Sequence, residues 1–224
     1  MLFRSAYEQD PELSFSVDFI SPRSFRIKML TSPVAPKPVD DPMLVGEPAH
    51  DHSWKMTRTA RGYLYSSQYA KLLIEENPFR ITVMDANGKR LTDTWRWVDN
   101  DSSQVKVMPF SFIKKGIDNS REINPVFSLS PNEKIFGCGE SFTKLDKRGQ
   151  KVNLYVTDPQ GPETEQMYKP VPFFMSSRGY GMFMHTSAPV TCDFGNTYVG
   201  ANKLFMGDET LDLFVFVGQP KDVL

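Results

Sequence analysis

The stretch FGCGESFTKLDKRGQKVNLYVTDPQGPETEQMYKPVPFFMSSRGYG, residues 136–181, decides between two kinds of fold. Gly137-Cys138-Gly139 opens like the G-x-G-x-x-G fingerprint of a dinucleotide-binding α/β unit. The third glycine of that pattern would fall at Phe142, and the residues that follow, among them Lys144, Asp146, Lys147 and Arg148, carry no apolar helical stripe. Without a helix there is no N-terminus on which a pyrophosphate could sit. The glycines and prolines instead imply repeated chain reversal between short strands.

On both sides of this stretch the hydrophobic period is two. Leu13, Phe15, Val17 and Phe19 alternate with Ser14, Ser16 and Asp18, and Phe25, Ile27 and Met29 alternate with Arg26 and Lys28, the pattern of half-buried strands. Prolines at 33, 36, 38, 42 and 48 follow. Their fixed φ and missing N–H exclude a helix interior or central strand and predict a long surface excursion. Residues 69–95 give extended runs around Asn87-Gly88, a hairpin signal because both residues accept positive φ, and predict a meander. The runs QVKVMPFSFI, NPVFSLS, KVNLYVT, VPFFMSS, GMFMHTS, PVTCDFG and LDLFVFVG are short, β-branched and aromatic, and bounded by turn formers. Together they predict an all-β fold, a sandwich of antiparallel sheets with long loops. In the last run Leu211, Leu213, Phe214, Val215, Phe216 and Val217 leave almost no polar position, so that strand should be covered on both faces. The closing QPKDVL places Pro220 where it suits a first helical turn. One turn cannot stand alone, so more chain is expected after Leu224.

Composition narrows the function classes. The 224 residues can bury a sizeable core, in one large all-β domain or two smaller ones. With 26 Lys+Arg against 27 Asp+Glu and no block of like charge, nothing favours nucleic acid or an anionic membrane as partner. No apolar run approaches the roughly 20 residues that cross a bilayer. Only two cysteines occur, Cys138 and Cys192, which suits a reducing compartment better than a disulfide-stapled scaffold. The opening MLFRSAYEQDPELSF has no apolar leader core, so a cytoplasmic location is the expectation.

Residues with chemical potential are few. His50-Asp51-His52 could begin a zinc site, but zinc needs three or four ligands and no second cluster is in sequence reach; a solvated loop is the simpler reading. Cys138 with His185 would make a thiol–base pair, against which a cysteine between two glycines usually fills a small space. Glu163 and Glu165, if extended, lie about 6.6 Å apart by strand rise, inside the range of glycosidase carboxylate pairs, although acids in a polar loop are ordinarily just solvated. His185 is also the one histidine in a predicted strand on which a sugar epimerase could rely for acid–base work. The residues alone thus give a β-sandwich with an aromatic, glycine-rich loop region, for which a carbohydrate is a reasonable ligand.

Three ordered motifs carry a resemblance. FGCGESFTKLDKRGQKVNLYVTD is similar to the Y/F-G-x-G-E-x-F … G … W-N-x-D segment of family 31 glycoside hydrolases. TEQMYKPVPFFMSSRGYGMFM resembles the Y-x-x-[IV]-P-F … R-G-Y-G run that follows it, especially in the α-xylosidase branch, and LDLFVFVGQPKDVL resembles the close of that family's N-terminal domain. The first 130 residues are similar only in kind. The resemblance implies a galactose-mutarotase-like sandwich, or supersandwich, over residues 1–218, with residues 219–224 starting the link to a (β/α)8 barrel. In that family two barrel aspartates perform a retaining hydrolysis of α-linked glucosides or xylosides. Neither has a counterpart here, so no catalytic residue, metal or cofactor is expected within these residues, and the chain alone is expected to be inactive. By motif match Asp158 is the loop aspartate that contacts the substrate sugar. The expected partners are an α-linked oligosaccharide or glycoside and the barrel of the same chain, and a homo-oligomer of the full-length enzyme is compatible with this. Tyr155-Val156-Thr157-Asp158 departs from the family's Trp-Asn-Arg-Asp. Gly137 and Gly139 would serve a tight backbone path, Glu140 would brace the loop, Pro172, Phe173 and Phe174 would pack, and Arg178 would clamp Glu140 or Glu165 in a bidentate pair. The alternative is a free-standing carbohydrate-binding module.

Overall fold

The alternating segments pair as antiparallel strands. The computed structural model describes residues 2–4, 12–32, 43–76, 79–94, 110–118, 120–162 and 164–224. In chain order these contain β1 (Leu2–Arg4), β2 (Glu12–Ser21), β3 (Ser24–Leu30), β4 (Lys55–Arg58), β5 (Gly62–Ser66), β6 (Ala70–Glu76), β7 (Phe79–Asp85), β8 (Arg90–Asp93) and β9 (Phe110–Lys114). There follow β10 (Arg121–Ser128), β11 (Ile135–Glu140), β12 (Lys151–Leu154), β13 (Lys169–Ser176), β14 (Tyr180–Met184), β15 (Val190–Phe194), β16 (Ala201–Met206), β17 (Thr210–Val217) and one helical turn, α1 (Pro220–Val223). The turn at Pro220 is the one its position predicts. Among the described residues no helix is long and apolar enough to cross a membrane.

Seven strands form one sheet in the order β1-β2-β3-β17-β14-β13-β11. The orders β12-β15-β16-β10-β9 and β4-β5-β6-β7-β8 make two sheets of five, joined by a bridge between Thr94 and Phe127. The second of these is the expected meander, and its last turn lies at Asn87-Gly88, where Gly88 N donates to Asp85 O at 3.0 Å and Gly88 has φ +84°. Both five-stranded sheets pack against the inner face of the large one. Phe15 of β2 meets Phe79 of β7 and Phe110 of β9, and Phe174 of β13 meets Phe194 of β15 at 5.1 Å. The alternation read from the sequence therefore points Leu13, Phe15, Phe25, Ile27 and Met29 into one shared core, the sandwich arrangement the pattern predicts.

β17 shows how a nearly unbroken apolar strand is accommodated. It lies inside the large sheet, paired with β3 and β14. Leu211, Leu213, Val215 and Val217 are buried in the core, while Phe214 and Phe216 stack on the outer face at 6.5 Å and touch Phe183 and Phe173. Both faces are covered, as expected. On that outer face Arg26 makes a bidentate pair with Asp212 at 2.7 and 2.5 Å, and Asp212 also bonds His185 Nδ1 at 2.7 Å. The hydrogen bond with Asp212 holds the buried Arg26 guanidinium above its ordinary pKa despite the opposing cost of burial. Of the proline-rich excursion, residues 33–42 lie outside the described residues. Residues 43–54 form no strand, are mostly exposed, and rejoin the sandwich where Asp51 N donates to Phe19 O and Trp54 stacks on Phe19 at 4.5 Å.

Candidate functional site

β11 begins the site. Its register with β13 shifts between Gly137 and Gly139, and Cys138 there has φ 70°. The two glycines are sterically required: a Cβ on Gly137 would sit 2.6 Å from Phe173 O, and one on Gly139 2.0 Å from Lys169 O. The Gly-x-Gly pair thus serves a bulge in a strand.

The 141–150 loop then folds back under its own charges. Asp146 Oδ1 accepts from Ile135 N at 3.1 Å and Arg148 N at 3.0 Å, and Arg148 Nη1 donates to Ser130 O at 2.9 Å and Glu133 O at 3.2 Å. Lys147 is only 4% exposed, and its Nζ donates to Ser141 Oγ at 3.0 Å and Thr143 Oγ1 at 2.7 Å. Burial pushes its pKa down. Asp146, Lys147 and Arg148 are therefore internal bracing of this loop.

A cavity of about 640 Å³ lies between β11, this loop and residues 159–169. Gly137, Gly139 and Lys147 line it, and Phe142 and Tyr168 stand at its edge, 68% and 59% exposed. Beyond β12 the chain returns to this cavity through a bridge between Val156 and Met167 and the bond from Thr157 N to Met167 O at 3.1 Å. That crossing leaves Asp158 exposed, next in sequence to the cavity-lining Pro159 and within hydrogen-bond reach of the cavity-lining Tyr168, whose hydroxyl donates to Asp158 Oδ1. The bond to the carboxylate raises the Tyr168 pKa. Tyr155 and Val156, exposed on the other side of the crossing, line a smaller cavity of about 360 Å³ with Pro172.

Several other expectations resolve differently. Arg178 clamps neither Glu140 nor Glu165: its Nε donates to Leu91 O at 2.9 Å and its Nη2 to Arg90 O. It ties the β13–β14 turn to the meander sheet. Arg178→Lys keeps the charge but loses the fork. It is expected to lower stability by about 1 kcal/mol, read as a shift in urea midpoint; an unchanged midpoint would refute the tie. Glu140 faces Lys169 at 3.5 Å with both side chains well exposed, a pair worth little. Glu163 lies outside the described residues, and Glu165 is exposed. Cys138 and His185 do not meet, because Cys138 is buried in the core whereas His185 bonds Asp212 on the outer face of the sheet. That histidine has a carboxylate partner but lines neither cavity. Asp51 is engaged by Ser53 N at 3.0 Å and Ser53 Oγ at 2.7 Å, with His50 and His52 exposed. No cluster of three metal-ligating side chains occurs among the described residues. Phe174 is buried and Phe173 packs on Phe216, so both have the packing role expected.

Residues 14–193 match the family model described as the glycosyl hydrolase 31 N-terminal galactose mutarotase-like domain. Over 98 residues the chain is 39% identical to alpha-xylosidase XylQ of Lactiplantibacillus pentosus, covering 43% of this chain and 13% of that protein. Over 193 residues it is 26% identical to alpha-glucosidase 2 of Bacillus thermoamyloliquefaciens, covering 83% and 22%. The solved cycloalternan-forming enzyme of Listeria monocytogenes, in complex with pentasaccharide substrate, has the same fold, with TM-score 0.77 at 20% identity over 97% of this chain and 20% of that one. The chain spans less than a quarter of the length of each.

Proposed function

The chain belongs to the glycosyl hydrolase 31 N-terminal galactose mutarotase-like domain family, and from that premise we propose that it forms one wall of a sugar pocket in a retaining α-glycosidase acting on α-linked xylosides or glucosides. In this reading residues 1–218 are the domain and residues 219–224 lead to a (β/α)8 barrel that carries the catalytic carboxylates. The observation that supports it is the placement of Asp158: an exposed carboxylate, anchored by Tyr168, which lines a cavity edged by Phe142. A carboxylate in that position accepts hydrogen bonds from sugar hydroxyls, while aromatic faces cover the sugar's C–H surface. Tyr155, where the family has tryptophan, offers a smaller face.

The chain itself performs no bond cleavage in this reading. Retaining hydrolysis needs an acid and a nucleophile about 5–5.5 Å apart, whereas Glu140, which lines this cavity, faces Lys169, and the neighbouring Asp158 is held by a phenol. The test is release of aryl alcohol from aryl α-xyloside and aryl α-glucoside by the barrel-bearing protein and by the purified 224-residue chain. Release by the chain alone would overturn the reading, and tight binding of xylosides by the chain alone would favour a free-standing carbohydrate-binding module. In the barrel-bearing enzyme Asp158→Ala is expected to lower kcat/KM by about 10- to 100-fold, chiefly through KM. Because the side chain is exposed, stability should change by less than about 0.5 kcal/mol. Unchanged kinetics would remove Asp158 from the pocket.

A further inference from the structure

Two lysines line the cavity of about 640 Å³. Lys169 faces Glu140 at 3.5 Å, so that pair adds no net charge to the wall. Lys147 faces no carboxylate among the described residues. Its partners are Ser141 Oγ at 3.0 Å and Thr143 Oγ1 at 2.7 Å, and both of these residues line the same cavity. Yet Lys147 is only 4% exposed, and a buried charge is costly unless it is paired. Two neutral hydroxyls solvate the ammonium without cancelling its charge.

The cluster also holds more donors than acceptors. An ammonium has three N–H donors and each hydroxyl one O–H. Two of the N–H donors serve Ser141 and Thr143, and the two hydroxyl oxygens lie 3.0 Å apart, so one O–H serves the other oxygen. One N–H and one O–H remain, beside an uncancelled positive charge. A carboxylate matches that remainder, because it brings one negative charge and two oxygens that only accept.

We propose that Ser141, Thr143 and Lys147 form an oxyanion subsite in this cavity, and that the ligand it selects is a sugar acid, a hexuronate whose carboxylate takes the two remaining donors. The volume suits more than a bare ion, and the exposed rings of Phe142 and Tyr168 at the cavity edge can cover the C–H face of the sugar. The sugar half of this assignment rests on the reading of the cavity as a sugar pocket; the anion half rests on the cluster alone.

Binding of D-glucuronate, D-glucose, acetate and inorganic phosphate to the 224-residue chain is measured by calorimetry. Glucuronate is expected to bind about 10-fold or more tightly than glucose, the worth of a charge-assisted bond, and more tightly than acetate or phosphate, which lack the ring. Lys147→Met, similar in length and without the charge, should bring glucuronate to the level of glucose. The Lys147 side-chain NMR signal of the wild-type chain should shift saturably with glucuronate and not with glucose, a readout that does not depend on how well the variant folds. In the barrel-bearing protein the preference for glucuronate should persist. Equal binding of glucuronate and glucose, a preference that survives Lys147→Met, or a Lys147 signal indifferent to glucuronate would overturn the subsite. Loss of the preference in the barrel-bearing protein would overturn it too, since a carboxylate of the barrel would then take the two donors. Acetate or phosphate binding as tightly as glucuronate would overturn the sugar acid as the ligand. Because the probe is a free sugar acid and no bond is cleaved, failure here leaves the glycosidase reading standing, and the aryl glycoside assays can fail without touching the subsite.

Discussion

Gly139→Ala is expected to cost about 3–5 kcal/mol of folding stability, far more than an alanine usually costs in a strand. Two effects add. Gly139 has φ +90°, a conformation that L residues enter only with strain of order 1–3 kcal/mol. The new Cβ would also lie 2.0 Å from Lys169 O and 2.8 Å from Val171 N. Both are backbone atoms of β13, so the clash cannot be relieved by turning a side chain and must open the β11–β13 ladder. Gly149 supplies the control. It has a similar φ of +79° but nothing within 4 Å of its Cβ position, so Gly149→Ala should show the conformational cost alone, about 1–2 kcal/mol. Urea denaturation of the two variants measures the difference. Equal losses would show that β13 does not press on β11 as described.

The contrast between these glycines marks what the sequence could reveal. Strands that alternate, such as β2, β3 and β6, or that are nearly all apolar, such as β17, carry their burial pattern in adjacent letters and were legible. So was the loop position of Asp158, through its motif. β11 was not, because Ile135–Glu140 contains two glycines whose reason for being there is the backbone of β13, more than thirty residues on. β16, Ala201–Met206, places the fully buried Asn202 beside half-buried Lys203 and reads as polar. β4, Lys55–Arg58, is exposed throughout and is a strand only because β5 pairs with it. The same limit applies at the site. Arg178 looked like a partner for a nearby acid, yet it serves carbonyls of residues 90 and 91, contributed by another sheet. Lys147 gave no sign of burial.

Glu133 was equally invisible as a single acid in SPNEK, and its removal is the other large effect expected. It is 2% exposed, and its carboxylate accepts from Ser176 Oγ at 2.5 Å, Tyr180 hydroxyl at 2.7 Å and Ser130 N at 2.8 Å. Glu133→Ala would leave three donors without their acceptor, two of them on buried side chains, and is expected to cost about 3–5 kcal/mol. Glu133→Gln keeps the volume and one acceptor oxygen, so about half that loss is expected. The same contact makes stability fall at alkaline pH. Burial, and next the charge of Glu133, push the Tyr180 phenol well above its ordinary pKa, so the folded state resists losing that proton and the unfolded state does not. The contribution of Tyr180 is therefore intact below the unfolded-state pKa of about 10 and is lost as pH rises from there toward the folded value. The limiting slope is about 1.4 kcal/mol per pH unit for one proton. Tyr65 and Tyr168 are also raised, but both are far less buried and should add only weakly. Urea midpoints followed from about pH 8 to pH 11 should therefore decline steeply in the wild type. In Tyr180→Phe they should start lower, by about 1–2 kcal/mol for the lost hydroxyl bond, and decline less. Parallel alkaline limbs would mean that Tyr180 ionises no later in the folded protein than in the unfolded chain, and would remove the buried phenol–carboxylate contact from the account of this turn.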